Sequence, residues 1–150
     1  MDKNRIAVAF GSFDIIHPGH LHYLKKASGY GRLVVVVSRD SSIRKIKGFG
    51  PAMDESARRE IVGSLKFVDR ALLGNRMSKW NDIYEILKGI KPSVIVLGYD
   101  QKVDMAYLNE FLSKNGIRAR IVRIGPYKPR VFKSSKIKEG LISRGSHSSS

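Results

Sequence analysis

The stretch Gly11-Ser12-Phe13-Asp14-Ile15-Ile16-His17-Pro18-Gly19-His20 decides how this chain is read. Ahead of it lies the apolar run Ile6-Ala7-Val8-Ala9-Phe10, and behind it Leu21, Leu24 and Ala27 recur at helical spacing. The pattern predicts a buried strand, a glycine turn carrying two imidazoles, and a helix from Gly19 to Ala27 ended by Gly29 and Gly31. Pro18 suits the first turn of that helix, where its missing N–H costs nothing. In an open α/β sheet, ligands bind at the carboxyl ends of the strands. A helix N-terminus placed there offers unpaired N–H groups and a positive dipole end, which suit phosphate. The stretch therefore points to a site for a nucleoside triphosphate.

Outward from it, strand and helix patterns alternate. Leu33-Val34-Val35-Val36-Val37 is continuous and β-branched, as a parallel strand covered on both faces requires. Asp54 to Leu65 reads as a helix, Phe67 to Leu73 as a third strand, and Asn81 to Leu87 as a helix stopped by Gly89. Ser93 to Leu97 is a fourth strand, Asp104 to Lys114 a helix and Arg120 to Ile124 a fifth strand. Ser134 to Leu141 suits a last short helix. This alternation predicts a single doubly wound, five-stranded parallel sheet of the Rossmann-like α/β class. Residues 1–142 are expected to form one domain. The run from Ser143 to Ser150 is low in complexity and reads as a disordered tail or a cloning scar.

A chain of 150 residues, 42% of them hydrophobic, can bury a sizeable single core. No apolar run approaches the ~20 residues of a membrane span. The N-terminus leads straight into a strand without a secretory signal, so a cytoplasmic location is expected. Cysteine is absent, which excludes disulfides, thiolate metal sites and cysteine nucleophiles. The net charge of +15 favours polyanionic partners. Arg39, Arg44, Lys45 and Lys47 follow the second strand. Arg118, Arg120 and Arg123 flank the last. Lys128, Arg130, Lys133, Lys136 and Lys138 fill the C-terminal segment. Most such residues serve a solvated surface.

Gly29-Tyr30-Gly31 precedes a strand instead of following one, so it is not a dinucleotide fingerprint, and no Walker loop is present. The run from Gly11 to His20 instead resembles the Gly-x-Phe-Asp-x-x-His-x-Gly-His signature of the cytidylyltransferase-like nucleotidyltransferases. The resemblance extends from about Ile6 to Ile137. Within that family the chain is most similar to the archaeal FAD synthases. The shared runs are Arg39-Asp40-Ser41-Ser42, Lys66-Phe67-Val68-Asp69, Leu97-Gly98-Tyr99-Asp100-Gln101 and Ser134-Ser135.

The resemblance implies adenylyl transfer from ATP to the phosphate of FMN, by direct displacement and without a covalent enzyme intermediate. His17 and His20 share a helix face and would donate hydrogen bonds to α- and β-phosphate oxygens. Lys47 would contact the β- and γ-phosphates. Phe49 stands where related cytidylyltransferases carry a second lysine, a place that Lys45 or Arg44 could fill. Gly11 and Gly19 would let the backbone approach the nucleotide, with Ser12, Phe13 and Pro18 in the same turn. Phe13 suits the core equally well. Asp100 would accept from a ribose or a base amino group, or cap the following helix. Tyr127 could stack on the base, and Ser134 and Ser135 would bind phosphate. Asp14 could orient a histidine, stand behind a metal or cap the turn. His22 reads as structural or surface, and Arg58 and Arg59 as surface or helix-packing residues. Phe49, Tyr99, Tyr127 and Phe132 would suit an isoalloxazine ring. The implied metal is Mg²⁺, held chiefly by the triphosphate, and the implied assembly is a homodimer.

Three alternatives compete. CTP could replace ATP, and glycerol phosphate, a sugar phosphate or phosphopantetheine could replace FMN. A zinc site from Asp14, His17, His20 and His22 is disfavoured, because helical zinc sites use a four-residue histidine step and here the steps are three and two. A basic nucleic-acid-binding module fits the charge but not the histidine pair, and the chain carries no recognised nucleic-acid motif.

Overall fold

Ile6–Gly11 forms β1, whose side chains alternate between the two faces of the sheet. Ala7 and Ala9 enter one apolar cluster and Val8 the other. The same alternation runs through β2, Arg32–Val37: Leu33, Val35 and Val37 join Ala7 and Ala9, while Val36 joins Val8. A strand covered on both faces has no polar side, which explains the unbroken valines. The computed structural model describes residues 4–76 and 80–127. Within them β3 (Arg70–Leu73), β4 (Val94–Leu97) and β5 (Arg120–Arg123) complete a five-stranded sheet in the order β3-β2-β1-β4-β5. Every pairing is parallel. The fold is the doubly wound α/β sheet that the sequence predicts.

Helix α1 (Pro18–Ser28) sends Tyr23, Leu24 and Ala27 into the cluster on one face, and α3 (Glu55–Gly63) adds Val62. A 3-10 segment (Trp80–Ile86), α4 (Leu87–Ile90) and α5 (Met105–Lys114) cover the other face with Tyr84, Leu87, Leu108 and Phe111. Each fully buried aliphatic side chain contributes about 1.5–3 kcal/mol. The strand order changes direction between β1 and β4, and the crevice for a ligand opens at such a point.

Three boundaries differ from the sequence reading. Asp40–Lys47, where the sequence reading places no element, is helix α2. Only Ile43 and Ile46 mark its apolar face. Asp40 in the first turn, three basic residues in the last and Gly48 at φ 82° supply the end signals. The third strand begins at Arg70, not Phe67, because α3 ends at Gly63 and the connecting turn packs Phe67 and Val68 into the core. Gly89 lies inside α4, and Lys91, left-handed at φ 51°, ends that helix. The expected helix from Ser134 to Leu141 and the expected tail lie outside the described residues.

Candidate active site

The turn after β1 is built around an aromatic ring. Phe13 is buried, adopts a left-handed φ of 52°, and meets His20 edge-on with ring centroids 5.5 Å apart. A Cβ on Gly11 would lie 2.6 Å from that ring. Gly11 is thus needed to admit the Phe13 ring, a structural reason for glycine at this position. A left-handed non-glycine residue stores strain, which functional turns hold in place through surrounding contacts.

His17 and His20 cap α1 with their own rings. His17 Nδ1 accepts from the Gly19 N–H at 3.1 Å, and His20 Nδ1 accepts from the His17 N–H at 3.2 Å. This is a capping box made from imidazoles in place of the usual hydroxyl and carboxylate. The rings stand 3.9 Å apart between centroids. With each Nδ1 acting as an acceptor, the hydrogen-bond pattern assigns the ring proton to Nε2 in both. Burial lowers the pKa of His17. Burial, followed by the charge of His17, pushes His20 down to about 4, against smaller upward pulls from Asp100 and the Ile15 backbone. Both rings are neutral near pH 7, and each keeps one N–H donor.

Long-range bonds hold the turn. The Arg58 side chain is fully buried: it donates to the Ser12 carbonyl at 2.8 Å, the Met53 carbonyl at 2.9 Å and the Asp40 carboxylate at 2.7 Å. Arg58 is therefore no surface residue, whereas its neighbour Arg59 is exposed. The Asp14 carboxylate accepts from the N–H groups of Ala52 and Met53 at 2.8 and 2.9 Å. It ties the turn to the segment before α3.

From the far side, Gln101 clamps β4 to β1. Its amide donates to the Phe10 carbonyl at 2.7 Å and accepts from the Gly98 N–H at 2.9 Å. Arg123 donates to the carbonyls of Gly98 and Gln101. His22 sits within hydrogen-bond distance of the Gly125 carbonyl, 3.3 Å, and stacks on Tyr127 with centroids 5.0 Å apart.

These elements enclose a cleft of about 540 Å³ at the carboxyl edge of the sheet. Gly11, Ser12, Phe13, His17, Gly19, His20, Lys47, Asp100 and Tyr127 all line it. Pro18 opens α1 without lining the cleft. Ser134, Ser135 and Phe132 lie outside the described residues. His22, Tyr99 and Gln101 line the cleft too, so His22 is more than a surface residue. Phe49 is 57% exposed and does not line it. Among the described residues, no three His, Cys, Asp or Glu side chains form a metal cage, and no helix is long and apolar enough to cross a membrane.

Residues 8–140 match the model of the family described as cytidylyltransferase-like. The chain belongs to the cytidylyltransferase-like family. Among its relatives, the FAD synthase of Thermoplasma volcanium is 43% identical over 136 residues, covering 90% of this chain and 92% of that protein. The FAD synthase of Aciduliprofundum boonei is 46% identical over 121 residues, covering 80% and 78%. A crystal structure from Thermoplasma volcanium, described as a lipopolysaccharide core biosynthesis protein, is 45% identical, with a TM-score of 0.75 and coverage of 83% of this chain and 98% of that one. In this cytidylyltransferase-like chain the turn from Gly11 to His20 and the loop from Gly98 to Gln101 meet across the β1–β4 crevice.

Proposed function

We propose that the protein transfers the adenylyl group of ATP to the phosphate of FMN, giving FAD and pyrophosphate. One conjunction carries this reading: the capped His17–His20 pair lines the main cleft of a chain 43% identical to a FAD synthase over 90% of its length. An oxygen of the FMN phosphate attacks the α-phosphorus of ATP in line. The bond from that phosphorus to the oxygen bridging towards the β-phosphate breaks, and the electron pair leaves with pyrophosphate. Such a reaction needs placement and charge stabilisation more than covalent help.

His17 and His20 donate through Nε2–H to the α- and β-phosphate oxygens as negative charge grows there. Because the α1 cap already fixes both rings, little reorientation is required during reaction. Lys47, at the end of α2, supplies a positive charge to the β- and γ-phosphates. Gly11, Ser12, Phe13, Pro18 and Gly19 form the turn under the triphosphate. Asp100 accepts from the ribose or a base amino group, Tyr127 stacks on the base, and Ser134 and Ser135 add phosphate contacts. Asp14 is tied to two backbone N–H groups, and among the described residues no three His, Cys, Asp or Glu side chains gather to hold a metal, so a divalent cation, Mg²⁺ by preference, would be held mainly by triphosphate oxygens. When bound it neutralises phosphate charge. The proposal includes a cytoplasmic homodimer that engages neither nucleic acid nor membrane.

A second reading, nucleotidyl transfer to a sugar phosphate, is favoured by the description of the Thermoplasma volcanium crystal structure. One panel separates the two. ATP and CTP are each offered with FMN, glycerol 3-phosphate, a sugar phosphate or phosphopantetheine, and pyrophosphate and the joined product are measured. ATP with FMN is expected to dominate. Turnover of a sugar phosphate or of glycerol 3-phosphate, with none from ATP and FMN, refutes the flavin reading.

A further inference from the structure

Lys47 is the last residue of α2, and that helix is thinly anchored: only Ser42 and Ile43 are buried in it. Beyond Lys47 the chain is pinned at Ala52 and Met53, whose N–H groups donate to Asp14. Gly48 and Gly50 fall in between and leave slack in the link. The place of Lys47 is therefore set from the other end of the helix.

That end is held by neighbouring elements. Arg39, the cap residue, makes no side-chain hydrogen bond to α2. Glu55 does this work from α3, accepting at 2.9 Å from the Asp40 N–H, one of the first-turn groups that has no partner within a helix. Its second oxygen pairs with Arg39 Nη1 at 3.3 Å. Arg39 Nε in turn donates to the carbonyl of Gly74, just past β3, at 2.7 Å. Glu55 also stands in the first turn of α3, so one carboxylate serves two helix N-termini, and both dipoles favour its charge. The paired side chains keep 25% and 27% of their surface exposed, and an ion pair this open to water adds little stability. What it supplies is direction, because it fixes the start of α2 against α3 and β3.

We propose that Glu55 is a positioning residue for Lys47: it latches the start of α2 through the Asp40 N–H and Arg39, and so aims Lys47 at the outer phosphates of the triphosphate. The inference deepens the adenylyl-transfer reading and rests on it for the role of Lys47. Glu55 does not line the cleft, so it acts only through the helix. The eight residues of α2 make a lever about 12 Å long. A pivot of about 5° at its start moves Lys47 by about 1 Å, and a misplacement of that size is costly where phosphates must be held for reaction.

The test measures binding of ATP with Mg²⁺, and of AMP, by calorimetry on the full chain without FMN. Four proteins are compared: the wild type, Glu55→Ala, Lys47→Ala and the double variant. Glu55→Ala should weaken ATP binding by about tenfold, and binding of AMP, which lacks the outer phosphates, by less than about twofold. In the Lys47→Ala background the same change should weaken ATP binding by less than about twofold, because nothing is left to position. Glu55→Gln keeps an oxygen for the Asp40 N–H and loses the charge facing Arg39. It should restore most of the affinity, leaving a loss of about threefold that again requires Lys47, and it replaces Glu55→Ala if that variant does not fold. Equal losses for ATP and AMP, or equal losses with and without Lys47, overturn the proposal, since Glu55 then supports the fold at large. Wild-type ATP affinity in both Glu55 variants overturns it too. FAD formation is scored separately: a wild-type chain that binds ATP and makes no FAD refutes transfer to FMN, while the ATP measurements still decide the latch.

Discussion

His20 carries the sharpest electrostatic prediction. Its pKa is lowered to about 4 against an ordinary 6.5. The folded state therefore favours the neutral ring, and the sign follows from linkage. The stability this ring contributes is complete above pH 6.5 and drains away as pH falls towards 4. NMR titration of the substrate-free protein should show the His20 Cε1 proton shifting near pH 4; a midpoint near 6.5 would refute the assigned environment. Arg58 makes the second prediction at this scale. Replacing it with Met leaves the Ser12 and Met53 carbonyls and the Asp40 carboxylate without their donor. Denaturant unfolding of Arg58→Met should show a loss of about 3 kcal/mol, and the turn it braces should lose turnover as well. A variant as stable as the wild type would show that the strut bears no weight.

At the scale of elements, the strands and α1 are legible because long apolar runs and a proline at a helix start carry their meaning locally. Helix α2 is not, since two isoleucines among serines and basic residues give too thin a period to separate helix from loop. Its end depends on Gly48, whose φ of 82° suits glycine and whose missing Cβ faces open space. Gly48→Ala should therefore cost about 1 kcal/mol through backbone strain alone, measured as a lower melting temperature. No change would mean that α2 can end in another way. The start of the third strand is hidden for a similar reason: Phe67 and Val68 look like strand residues but are packed into the core by a turn. At the site, the motif names His17 and His20, yet their capping roles appear only once the helix is seen. The bonds of Gln101 to Phe10 and of Arg58 to Ser12 join residues 91 and 46 positions apart. No local pattern announces them, and a buried arginine on a helix looks like a solvated one until the fold closes over it.

The whole molecule carries a net charge of +15, and its main cleft includes Lys47. Such a field draws a triphosphate in from beyond contact distance and is screened by salt over roughly 8–10 Å near physiological ionic strength. KM for ATP should rise as potassium chloride is increased from low to physiological concentration, while binding of uncharged riboflavin should hardly move. Equal sensitivity of both would mean that salt acts on the fold and not on capture of the anion.

The most direct test of the central claim is single-turnover adenylyl transfer by His20→Asn, with ATP and FMN both saturating. The Asn oxygen can take over the role of Nδ1 in the α1 cap, while the Nε2–H donor is lost. The rate should fall by about 100- to 1,000-fold, with a melting temperature close to that of the wild type. Release of pyrophosphate and FAD at the wild-type rate would contradict the claim.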